Sequence, residues 1–157
     1  MRRTAMRGFT LVEVLVVGII LASLFLLATQ SLFGGYRSAT LAETANQLVR
    51  DLRETQIRVM QGSLLDRSIR FEADRYIIYP GVVYDSGNSE NQLIVLPPTM
   101  QFTSIGIPDS ALTFARASGD IRAFTPGADS VVITETVLGT TITFQVNSRG
   151  VVFVSHE

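Results

Sequence analysis

Residues 38–62 read SATLAETANQLVRDLRETQIRVMQG, and the fold class of the chain turns on how they are read. Leu41, Ala45, Leu48, Leu52 and Val59 recur at helical spacing, and Val49 and Met60 widen the stripe. Arg50, Asp51, Arg53, Glu54 and Arg58 take much of the remaining surface, and Gly62 stands at a C-cap position. The spacing predicts an amphipathic helix of about 24 residues that lays its apolar face on a globular domain. After Gly62 the period drops to two. Segments 68–72, 75–80, 92–97, 101–105, 111–115, 130–137, 140–146 and 151–155 read as strands. Turn chemistry separates them at Ala73-Asp74, Asp85-Ser86-Gly87-Asn88, Ile107-Pro108-Asp109, Ser118-Gly119-Asp120, Leu138-Gly139 and Ser148-Arg149-Gly150. Short strands with close turns predict antiparallel hairpins in one or two sheets, covered on one face by the helix, an α+β class. LTFARASGDI (112–121) and ITFQVNSRGVV (142–152) echo each other as two related hairpins.

Towards the N-terminus the pattern changes again. Residues 9–29 supply about 20 mostly apolar positions, the length of a bilayer-spanning helix. Arg2, Arg3 and Arg7 precede them, which by the positive-inside bias places the N-terminus in the cytoplasm and residues after about 30 outside. Between Leu11 and Ala28 the one ionisable residue is Glu13. A carboxylate on a lone membrane helix costs about 2.5–3.5 kcal/mol. A secretory signal peptide fits poorly, because LLATQS (26–31) is a weak small-x-small site. An ordinary signal anchor leaves Glu13 unexplained. Phe33-Gly34-Gly35-Tyr36 marks either a bend in one helix or a loop separating two.

The stretch RGFTLVEVLVV (7–17) resembles the class III signal of type IV pilins and the pseudopilins of type II secretion. The resemblance implies cleavage by a prepilin peptidase between Gly8 and Phe9, N-methylation of Phe9, and a role for Glu13, the fifth mature residue, in setting assembly register. It implies a pilin-like fold, with a long N-terminal helix (transmembrane half plus amphipathic half) packed on an antiparallel β domain. On that plan 1–8 is the removed basic leader, 9–61 the helix with 9–29 transmembrane, and 62–157 the β domain. ANQLVRDLRETQ (45–56) and the two strand-turn-Gly units resemble the GspH/FimT-like group of minor pseudopilins and minor pilins, which implies a minor subunit. The implied partners are other pilin or pseudopilin subunits, the prepilin peptidase, an inner-membrane assembly platform and membrane lipid. The implied location is a single pass of the cytoplasmic (inner) membrane, N-terminus inside and C-terminal domain extracytoplasmic, and then the pilus or pseudopilus. Charge supports the register role. The cut creates an α-amino group one helical turn before Glu13, about 6 Å along the axis. A staggered neighbour's carboxylate can then pair with it, a known use of a buried polar group.

Composition narrows the chemistry. Cys is absent, so disulfides and thiolate chemistry are excluded. The one His is His156, next to the end, which removes His-based triads and zinc sites and points to a non-enzymatic protein without cofactor or metal. No Gly-rich phosphate loop follows a strand. Asp85-Ser-Gly-Asn-Ser-Glu90 carries oxygen ligands at short spacing but reads as a solvated hairpin turn rather than a calcium loop. Glu72 and Asp74 are a strand end and turn. Arg67, Arg70 and Arg75 make at most a small basic patch, and with a net charge of −1 nucleic acid is not an expected partner. The alternative function is a membrane-tethered extracytoplasmic domain that captures a ligand, secreted substrate or DNA without entering a fibre.

Overall fold

The computed structural model describes residues 10–156, with side chains described outside 27–33. Helix α1 (Leu11–Met60) is followed by β1 (Arg67–Glu72), β2 (Arg75–Pro80), β3 (Gln92–Val95), β4 (Met100–Gly106), β5 (Ala111–Phe114), β6 (Ser130–Glu135), β7 (Thr141–Val146) and β8 (Val152–His156). All eight strands fall on segments with two-residue alternation. They form two antiparallel sheets, ordered β3-β2-β1-β5 and β4-β6-β7-β8. Burial alternates most clearly in β6 and β7. In β6, Val131, Ile133 and Glu135 point inwards while Ser130, Val132 and Thr134 are half-buried.

The chain divides into two compact units between Tyr36 and Arg37. The second unit contains both sheets and the last part of α1. There Leu41, Ala45, Leu48, Leu52 and Val59 are all buried, as their spacing predicts, and share one core with both sheets. Phe71 of β1 meets Phe102 of β4 edge to face, with ring centroids 5.3 Å apart, so aromatic packing joins the two sheets. Met60 departs from the stripe. It is 53% exposed and reaches over the Gly119 turn. Asp51, placed by the spacing on the charged surface, turns its carboxylate to the β domain and accepts a 2.5 Å hydrogen bond from the Tyr76 hydroxyl. Burial first, and that hydrogen bond second, push the Tyr76 hydroxyl pKa up.

The echoed segments meet in space. Ala117 N–H donates to the carbonyl of Val59 at the end of α1, and Ile121 N–H donates to that of Ser148, tying one turn to the other. The first segment closes only a single bridge, Phe114 to Ile121, whereas the second forms the full β7–β8 hairpin. Gln56 of α1 serves both. Its Nε2 donates to the Gly119 carbonyl at 3.0 Å and to the Arg149 carbonyl at 2.7 Å.

Two expectations are corrected. The class is α+β, but a long N-terminal helix packed along the β domain is not what the chain forms. Only 37–60 belongs to the unit that holds the sheets, and every described side chain from 10 to 26 is exposed. The reading of 9–29 as a transmembrane helix also fails, and with it the single-pass inner-membrane placement. Among the described residues no helix is long and apolar enough to cross a membrane. The paired glycines are helical, so they do not form a loop, and the chain divides just after them.

Candidate functional site

Gly8 and Phe9, the expected cleavage and methylation positions, lie outside the described residues. The first described residue is Thr10, and there the sequence T-L-V-E closes a capping box. The Thr10 hydroxyl accepts from Glu13 N–H at 3.3 Å. The Glu13 carboxylate accepts from Thr10 N–H and from the Thr10 hydroxyl, each at 3.0 Å. Glu13 is therefore an N-terminal cap of α1 as well as the candidate register residue. This second role was legible as S/T-x-x-E ahead of an apolar run. From 14 to 26 the helix is apolar around nearly its whole circumference. Leu11, Val14, Ile19, Leu21 and Phe25 are all more than half exposed. Such a surface calls for cover on every side.

The other candidates resolve into local structure. In the 85–90 loop, Asp85 Oδ1 accepts from Gly87 N–H at 2.9 Å and Asn88 Oδ1 from Glu90 N–H at 2.8 Å. The oxygens considered for calcium thus cap their own turn. Among the described residues no group of three His, Cys, Asp or Glu side chains could hold a metal ion. Arg67, Arg70 and Arg75 are not one patch. Arg67 pairs with Glu90 at 3.5 Å, Arg75 with Asp74 at 2.8 Å, and Arg70 stands 3.7 Å from Glu72. Arg67 and Arg70 also leave β1 on opposite faces. Glu72 and Asp74 serve these ion pairs, and His156 is exposed at the end of β8.

Sequence reading passed over Glu135. Its side chain is wholly buried and accepts from Arg37 Nη1 at 3.1 Å, Val137 N–H at 3.0 Å and Leu138 N–H at 2.6 Å. The signal was present as an acid in phase with Val131 and Ile133 on the inward face of a strand. The Leu138 N–H most of all, with the Arg37 guanidinium and the Val137 N–H, holds this carboxyl below the usual carboxylate range against the opposing effect of burial. A carboxyl depressed in the folded state stabilises above its unfolded pKa of about 4.3, and that contribution is lost as pH falls through the folded value. Glu135→Gln is therefore expected to lower the urea midpoint at neutral pH. The gap to the parent chain should close as the titration is taken below about pH 4. A gap that stays constant with pH contradicts this assignment.

No family model matches the chain, and neither a curated protein nor a solved structure matches it.

Proposed function

We propose that this chain is a structural, non-enzymatic subunit, of the minor kind, of a type IV pilus or type II secretion pseudopilus. It is cut between Gly8 and Phe9 by a prepilin peptidase and assembled through the start of α1. The observation that carries the reading is the exposed, apolar first stretch of α1, residues 11–26, whose one ionisable group, Glu13, lies in its first turn. Copies of this helix bundled together bury the surface, each large aliphatic side chain contributing roughly 1.5–3 kcal/mol. Apolar contacts alone leave the axial stagger undefined. A Glu13 carboxylate paired with a neighbour's freed Phe9 amine defines it.

The capping box makes the test selective. Gln keeps the box and loses the charge, whereas Leu loses both. If the charge sets the register, Glu13→Gln abolishes incorporation into filaments as completely as Glu13→Leu. If Glu13→Gln assembles normally, Glu13 is a cap and the register argument falls. Mass spectrometry of the mature N-terminus tests processing independently. The expected start is N-methylated Phe9, and a start near Thr29–Ser31 overturns the reading.

A further inference from the structure

A cavity of about 250 Å³ opens in the β domain beside β5. Its floor follows from strand register. Arg70 of β1 lies opposite Ile77 of β2 and Ala111 of β5, and in the next row Ser68 lies between Tyr79 and Thr113. Residues two apart share a face, so Arg70, Ala111 and Tyr79 look out together. Ala111 is small and leaves room beside the longer Arg70. Tyr84 stands edge-on to Tyr79 with centroids 5.3 Å apart, and the Arg70 guanidinium carbon is 5.5 Å from the Tyr84 ring centroid. Phe124 completes the apolar wall.

Arg70 is the unusual member. Its Nε is buried and has no hydrogen-bond partner, and the nearest Glu72 oxygen, at 3.7 Å, is too far to accept. Buried donors are seldom left in this state. Arg122, on the same wall, is by contrast held by Asp66 at 2.6 Å. Asp109 and Ala123, also on the wall, hold φ of 54° and 50°, left-handed values that residues other than glycine rarely adopt. Strain of this kind gathers at ligand clamps.

We propose that this cavity binds a carboxylate-bearing ligand with a flat apolar body, the acid on Arg70 and the body against Tyr79, Tyr84 and Phe124. A planar guanidinium matches a carboxylate through paired hydrogen bonds. One negative charge suits the site, because Glu72 and Asp109 stand close and repel a phosphate dianion. The volume admits about one ring and its acid, at the small end of ligand pockets.

The test is NMR titration of the full chain with N-acetylphenylalanine, its neutral amide, and 3-phenylpropanoate. The acids are expected to saturate at millimolar concentration or below and to shift the Arg70 Nε–H and Tyr84 ring signals. The amide should bind roughly tenfold more weakly or worse. Arg70→Gln should weaken acid binding to the same degree, and Tyr84→Leu should weaken acid and amide together. Tighter binding of N-acetylphenylalanine identifies a peptide C-terminus as the natural source, and tighter binding of 3-phenylpropanoate a free aromatic acid. Equal binding of acid and amide overturns the proposal. So does an absence of saturation with either acid, or acid binding unchanged in Arg70→Gln. Should Arg70→Gln fail to fold, judged by its circular dichroism, the acid–amide comparison and the Nε–H shift in the parent chain decide.

Discussion

Phe114→Ala is expected to lower the free energy of unfolding by about 3–5 kcal/mol, the range for an aromatic ring removed from a tight core. The position belongs in the upper part of that range. Phe114 is fully buried at the end of β5, where it lies opposite Arg67 of β1 and bridges to Ile121. Its ring edge also packs against the Gly150 turn, between β7 and β8. One ring thus touches parts of both sheets, and the backbones around it are held by their own ladders and cannot collapse inwards. Urea unfolding measures the loss, and the slope with denaturant should stay near the parent value. A loss below about 1 kcal/mol means that the site relaxes around the missing ring.

Gly150→Ala is expected to cost about 2–4 kcal/mol from two sources, left-handed strain and a broken staple. Gly150 has φ 73°, where a side chain is strained whatever the space. A Cβ there would also sit 2.6 Å from Gln56 Nε2 and 3.0 Å from the Phe114 ring, so Gln56 must leave its carbonyls. Gly139 provides the control. It has φ 71°, and a Cβ added there would have nothing within 4 Å. Gly139→Ala therefore carries the strain alone, about 1–2 kcal/mol. The difference between the two variants measures the staple together with the Phe114 contact. Introducing Gln56→Ala into both should shrink that difference to the part set by the Phe114 ring. If Gly150→Ala costs no more than Gly139→Ala in the parent chain, the staple contributes nothing.

What was legible in the sequence had a periodic cause. The buried stripe from Leu41 to Val59 and all eight strands follow from spacing, because burying one face imposes a period of 3.6 or 2 on the side chains. The echo of Phe114–Gly119 in Phe144–Gly150 was visible too, but its reason was not. Both turns end on one amide, Gln56, which lies far away in the chain. Glu135 and the Arg70 cavity went unseen for the same cause. A buried charge or a donor without an acceptor becomes conspicuous only when distant strands are brought together. The N-terminal run shows the opposite error. Apolar composition suggested a bilayer span, but among the described residues no helix is long and apolar enough to cross a membrane.

The two hydrogen bonds of Gln56 bridge 63 and 93 positions of sequence. Contacts of that separation close large loops and form late in folding. The helix must therefore wait for strands made long after it, and neither turn locks until all three have met. In hydrogen exchange the amides of the Gly119 and Gly150 turns should open together with those of the facing helix, as one cooperative unit.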